Sequence, residues 1–178
     1  MENPSEITRE QTIEQNIEVD EEDNVIGLRP RDDFYTGKYI HRASHLILFN
    51  SKNEILIQKR SPTKKWYPNL YTYSVSGTVA GESYEDCMKK EMDEEIGISA
   101  SVKYLFKFPL FGEYSKAFCA IFVGQSDKKI KPDKREMSEV KWVSVDELVT
   151  DLEQNPDKYT PPFKKGMMMY FDNFYKAE

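Results

Sequence analysis

Four glutamates, Glu82, Glu91, Glu94 and Glu95, are the residues of this chain whose type and spacing can do chemistry. The last three stand at i, i+3 and i+4. On a helix, with about 100° between successive side chains, their carboxylates share one face. That face is unfavourable for the helix alone, because like charges at i,i+4 cost about 0.2–0.5 kcal/mol and acids in the final turn oppose the helix dipole. Cys87 and Met88 flank it, which suggests partial burial and weaker screening. A hard divalent cation, Mg²⁺ or Mn²⁺, removes the conflict and prefers such oxygen donors. Taken on charge spacing alone, a solvated acidic helix face is the plainer reading.

The element that positions these acids reads clearly. Ser83 is a good N-cap, and Asp86 three residues later completes a capping-box pattern. Gly97 follows Ile96, the last periodic apolar residue, and reads as a left-handed helix end. The spacing predicts a helix from about Tyr84 to Ile96, entered from a loop punctuated by Gly77 and Gly81.

The stretch from Ser76 to Ile98 resembles the Nudix box: Gly, five residues, Glu, seven residues, Arg-Glu, an apolar residue, any residue, Glu-Glu, any residue, Gly, an apolar residue. Glu82, Glu91, the Glu94-Glu95 pair and Gly97-Ile98 fall on it. Lys90 stands where the family has Arg, and Gly77 precedes Glu82 by one residue too few. The resemblance implies that Glu91, Glu94 and Glu95 bind Mg²⁺ (Mn²⁺ as the alternative), with Glu82 and the Gly77 carbonyl completing the site. It implies Glu91 as general base, with Glu113, Glu136 and Glu139 as alternative bases on later segments. Lys90 would take the Arg's part in holding the loop, as a point charge without the planar fork.

Around the box, a hairpin is expected at Asn16 to Leu28 and a polar connector at Arg29 to Lys38. Arg29 and Arg31 can contact phosphate, but surface arginines are the plainer reading. A largely apolar strand from His41 to Asn50 and a paired strand from Glu54 to Arg60 follow. Lys59 and Arg60 at its end would project near a diphosphate. Next comes an aromatic approach, in which Trp66, Tyr67, Tyr71 and Tyr73, with Phe111 later, can flank a base or an apolar tail. After the helix the chain predicts strands at Ser101 to Phe106, Ala117 to Gly124 and Val140 to Val143, with connectors at Phe108 to Tyr114 and Lys128 to Arg135. Ser144 and Glu147 form a capping box opening a further helix. A loop from Asp151 to Phe163 and a last helix from Lys164 to Tyr175 close the chain. Helices on both sides of a mixed sheet give an α+β fold of the Nudix α/β/α sandwich type, with the hairpin as N-terminal extension.

Length fits one domain, residues 16–178, after a polar tail over residues 1–15. The formal charge of −6 argues against a nucleic-acid surface. No run approaches a membrane span and no export signal opens the chain, so no membrane partner and a cytoplasmic location are expected. Two cysteines are too few for a disulfide framework and read as small buried hydrophobes. Homodimers are frequent among relatives, so the resemblance admits a homodimer while leaving the oligomeric state open.

Beyond the box, Trp66-Tyr67-Pro68, Ser74 to Gly77, Trp142 and Tyr159 to Phe163 resemble the isopentenyl-diphosphate isomerase branch. Isomerases carry Cys-Gly-His where this chain has Ser76-Gly77-Thr78, and a Glu-x-Glu-x-Cys stretch where it has Ser115 to Cys119. His41 matches an isomerase-site histidine whose partners are gone. The resemblance therefore implies a pyrophosphohydrolase acting on a nucleoside diphosphate linked to another group, or on a related small diphosphate, with Lys59, Arg60, His41, Trp66 and Tyr73 as substrate contacts. An isomerase with a rearranged site and a non-catalytic diphosphate-binding module are the alternatives.

Overall fold

The computed structural model describes residues 14–175; the polar stretch before residue 14 lies outside the described residues. Strand β1 (Gln15–Val19) pairs antiparallel with β2 (Val25–Pro30). Asp20 makes their turn, its carboxylate accepting the N–H groups of Glu22 and Asn24. A short 3₁₀ turn at Arg31–Thr36 follows, and Val19 joins the hairpin to β3 (Ile40–Phe49) through Ile40.

The expected partnership of β3 with β4 (Glu54–Arg60) is nearly absent. Only Phe49 and Ile55 pair, beside the Asn50–Asn53 turn. From there the strands diverge. Strand β3 takes β6 (Val75–Thr78) antiparallel on one side and β8 (Lys116–Gln125) parallel on the other. Strand β4 takes β5 (Tyr71–Thr72) and β9 (Met137–Ser144), both antiparallel. Leu46 to Leu48 of β3 and Ile55 to Ile57 of β4 bury apolar side chains on both faces, so each strand is satisfied as the centre of its own half-sheet. The split between the halves is where the acidic helix docks.

That helix, α1 (Tyr84–Ile96), has the expected bounds. Ser83 accepts the Asp86 N–H, while Gly97 ends the helix at φ 65°. It lays Met88, Met92 and Ile96 on Leu46, Leu48, Leu56, Val75 and Phe122. Each such side chain contributes about 1.5–3 kcal/mol on burial, enough to hold the crowded carboxylates on the remaining face. The opposite sheet face is covered by α2 (Val145–Gln154), which has the full capping box from Ser144 and Glu147, and by α3 (Pro161–Phe174). There Ile47, Ile57, Phe108, Ile121, Leu148, Phe163 and Met167 form the second core. The result is the α/β/α sandwich.

Several boundaries differ from the sequence reading: β2 runs to Pro30, β9 starts at Met137 and α2 runs to Gln154, inside the loop expected from Asp151. Strand β7 (Val102–Phe111) runs through the expected connector at Phe108, because its ladder with β8 continues to Phe111–Lys116. Helix α3 starts at Pro161, inside the expected loop, where prolines suit the first helical turn.

Candidate active site

A cavity of about 780 Å³ opens where the two half-sheets part. Glu91, Glu94 and Glu95 of α1 line one wall, with Gly77 of β6 beside them. Glu95 is buried, and its Oε2 accepts from Gln58 Nε2 at 3.0 Å and from the Ser76 N–H at 3.3 Å. Burial pushes its carboxyl up to about 8 against those two donors, with Glu91 adding to the rise. Glu91 is half-buried, and burial raises it too, partly offset by Lys90, whose Nζ lies 3.7 Å away. Among the described residues Glu94 has no ion-pair or hydrogen-bond partner, and it faces the same space.

This wall fits a hard divalent ion by donor chemistry, since oxygen donors share one face and two of the three carry an uncompensated cost of burial. Among the described residues no three acidic, His or Cys side chains are already gathered tightly enough to ligate one ion, so the carboxylates must turn toward it.

Glu82 stands apart from the cavity lining. Its Oε1 takes Lys90 Nζ at 3.0 Å and its Oε2 takes the Gly81 N–H at 2.8 Å. Burial works against its charge, but the N–H groups of Gly81 and Glu82 with Lys90 outweigh it and push the carboxyl down to about 2. Glu82 and Lys90 thus tie the glycine loop to the helix.

Four arginines and lysines line the remaining mouth: Arg31, Arg60, Lys64 and Arg135. Three are paired, Arg31 with Glu14 at 2.9 Å, Lys64 with Glu136, and Arg135 with Asp133 at 2.7 Å. Among the described residues Arg60 has no carboxylate partner. Its Nε donates to the Trp66 carbonyl at 3.0 Å, and burial lowers its pKa. Trp66 stacks on Tyr35 with centroids 4.4 Å apart. His41 lines the floor, pushed down to about 4 by burial, and its Nδ1 is buried without a partner.

Besides Glu82, five expected residues lie outside the cavity lining: Lys59, Tyr71, Tyr73, Phe111 and Glu139. Successive side chains of a strand point to opposite faces, so Arg60 turns to the cavity and Gln58, on the same face, to Glu95 behind its wall, while Lys59 lies over the Tyr71 ring, 5.5 Å from its centroid. Glu139 accepts the Tyr71 hydroxyl at 3.0 Å, outside the cavity. Tyr73 is 1% exposed, packed on His45 and Phe163, and its hydroxyl donates to the Pro162 carbonyl. Glu113 and Glu136 line the cavity, as do His41, Arg60 and Trp66. Sequence reasoning missed Gln58, Tyr35, Lys64 and Arg135, and set Arg31 aside as surface. The i, i+2 spacing of Gln58 and Arg60 was the one local signal that reached any of them.

Residues 39–163 match the NUDIX domain family. The chain is a Nudix hydrolase. It is 50% identical over 158 residues, 86% of this chain and 93% of the relative, to a prenyl-diphosphate phosphatase of Methanosarcina mazei. It is 32% identical to an isopentenyl-diphosphate Delta-isomerase of Photorhabdus laumondii over 83% of this chain and 86% of the relative. A crystal structure from Deinococcus radiodurans superposes with a TM-score of 0.70 at 27% identity, covering 80% of this chain and 90% of that one. Acting on a diphosphate is the function of the Nudix hydrolase, and the family generally uses divalent metal ions. The isomerase alternative is not favoured. Ser76, at the thiol position, is tied to His45 Nδ1 at 2.9 Å, and burial pushes the Cys119 thiol at the cavity floor up to about 12, which leaves no thiolate for chemistry. Among the described residues no helix is long and apolar enough to cross a membrane.

Proposed function

We propose that this Nudix hydrolase cleaves the diphosphate of a prenyl diphosphate, giving a prenyl monophosphate and orthophosphate, with Mg²⁺ as its ion. One observation carries the reading. An acidic wall, a guanidinium without a carboxylate partner and a floor of small apolar side chains face one another across a single cavity. The floor offers Ala43, Ala117 and Leu110 to an apolar chain. The name of the half-identical Methanosarcina mazei relative supports the same substrate class.

Glu91, Glu94 and Glu95 would hold the ion with the Gly77 carbonyl, and Glu82 and Lys90 would hold the loop in place. The bound ion supplies charge neutralisation at the phosphates and acidifies water. Arg60 places its guanidinium against the diphosphate oxygens, with Lys64 and Arg135 at the rim. Gln58 and the Ser76 N–H fix Glu95 in one orientation. Glu91 accepts the proton of the attacking water, with Glu136 and Glu113, which also line the cavity, as alternative bases. The water oxygen bonds to one phosphorus, the bridging P–O bond breaks, and the other phosphate leaves. His41 and Trp66 border the substrate. A cytoplasmic location and a homodimer complete the reading; sedimentation of the purified protein tests the second.

The test is a panel of prenyl diphosphates, nucleotide sugars and deoxynucleoside triphosphates with Mg²⁺, scored by orthophosphate and nucleotide release. Prenyl diphosphates should be preferred, and Glu94→Gln should abolish their turnover. Preference for any nucleotide would overturn the substrate class.

A further inference from the structure

The strand registers define a feature that the diphosphate chemistry does not use. Across the sheet face opposite α1, Thr78, Ala43, Cys119 and Phe108 stand side by side, because Ala43 pairs with both Thr78 and Cys119 and Cys119 pairs with Phe108. In the next row, His41, Ala117 and Leu110 are neighbours in the same way. Paired residues share a face, so the small side chains of Ala43, Cys119 and Ala117 cluster beside an adjacent row that carries the larger His45, Ile121 and Phe106. The sheet surface is therefore lower there by the height of the missing side chains. Ala43, Ala117 and Cys119 are 8%, 7% and 1% exposed, yet all three line the cavity. The depression runs beneath the Thr160–Pro162 segment, which also lines it. Two of its polar groups are neutral and accounted for: Thr160 Oγ1 donates to Thr72 Oγ1 at 3.0 Å, and burial keeps the Cys119 thiol protonated.

We infer that this row of small residues carries the apolar chain of the substrate and that Ala117, between His41 and Leu110, sets the chain length accepted. The inference rests on the prenyl-diphosphate reading and adds to it a chain-binding surface. The trough is continuous with the acidic wall in one cavity, so a diphosphate held at the wall directs its chain along the floor. At about 780 Å³ the cavity is also larger than a five-carbon diphosphate requires and falls within the range of about 300–1,000 Å³ typical of sites for larger ligands. A hydrocarbon chain there replaces water over Ala43, Ala117, Leu110 and Pro162 surface.

The experiment compares kcat/KM for five-, ten-, fifteen- and twenty-carbon prenyl diphosphates in the wild type, Ala117→Val and Ala117→Leu, each checked by thermal melting. The wild type should turn over fifteen- and twenty-carbon substrates. The ratio of fifteen-carbon to five-carbon kcat/KM should fall about 10-fold or more in Ala117→Leu, and by less in Ala117→Val, since a methylene's worth of pocket space discriminates by about 10–200-fold. If Ala117→Leu does not fold, the Ala117→Val ratio decides. An unchanged ratio, or a wild type restricted to the five-carbon substrate, overturns the chain surface while leaving the prenyl-diphosphate reading intact. A wild type that turns over no prenyl diphosphate overturns that reading itself.

Discussion

Gly77 faces Glu91 so closely that a methyl group added to it would lie 2.8 Å from Glu91 Cδ and 3.1 Å from Cys87 Sγ. The strand preceding the loop and the first proposed ligand of the helix thus share one van der Waals surface. The absence of a Cβ at residue 77 is what lets Glu91 stand at the cavity wall. Gly77→Ala should displace the carboxylate by about an ångström and lower kcat by about 100-fold. Folding should weaken by only about 1–3 kcal/mol, the usual range for an overpacked site. Steady-state kinetics beside urea melts check this, and a variant with wild-type kcat would contradict it.

The Glu82–Lys90 pair should matter to activity more than to stability. Lys90 is 44% and Glu82 23% exposed, so their 3.0 Å bridge is worth less than about 1 kcal/mol. As a support for ligand-bearing segments it should cost about 10–100-fold in metal affinity or activity when removed. Lys90→Ala should raise the Mg²⁺ concentration for half-maximal rate, and Lys90→Arg should restore it. The reverse pattern, a large loss of melting temperature with unchanged Mg²⁺ dependence, would show a merely structural tie.

Asp23 is a stability device remote from the chemistry. At the tip of the N-terminal hairpin, with φ 65°, its carboxylate meets Arg42 Nε at 2.7 Å, the Tyr84 hydroxyl at 3.0 Å and the Lys107 ammonium. Its side chain is 6% exposed. Asp23→Ala leaves two part-buried cations without their partner and should destabilise by on the order of 3–5 kcal/mol. Denaturant titration measures this, and kcat of the folded fraction should stay within error of the wild type.

Two buried histidines give a pH signature. Burial pushes His41 down to about 4 and His45 to about 3; Arg31 adds to the first and His41 and Arg60 to the second, while the Lys116 carbonyl favours charge on His41. The ordinary value is 6.5, so below it the unfolded chain binds protons that the folded one refuses. Stability contributed by these groups is full above pH 6.5 and is lost as pH falls from 6.5 to about 4, and to about 3 for His45. The His41→Gln, His45→Gln double variant should lose less stability than the wild type between pH 7 and pH 5. Parallel urea midpoints in the two proteins would refute the assignment.

The sequence by itself determined helix α1, its cap at Ser83, its end at Gly97 and the shared face of Glu91, Glu94 and Glu95. Helical periodicity, capping and like-charge spacing are local, and they need only neighbours within four residues. The family followed from the same stretch. Local rules also placed the hairpin and the second capping box. The sequence did not contain the separation of β3 from β4, since adjacent strands joined by a short turn are expected to pair and only their distant partners, β8 and β9, decide otherwise. That separation made the cavity. It also sorted the aromatic and basic candidates. Arg60 and Gln58 turn inward and Lys59 outward by strand alternation, but which side is inward depends on where α1 packs. Tyr73, a substrate contact by resemblance, became core because α3 closes over it at Gly166. The patch of Ala43, Cys119 and, in the adjacent row, Ala117 exists only through the parallel register between strands more than seventy residues apart in sequence. No local signal encodes such a patch, because each small residue alone is unremarked, and only lateral pairing turns three of them into a surface.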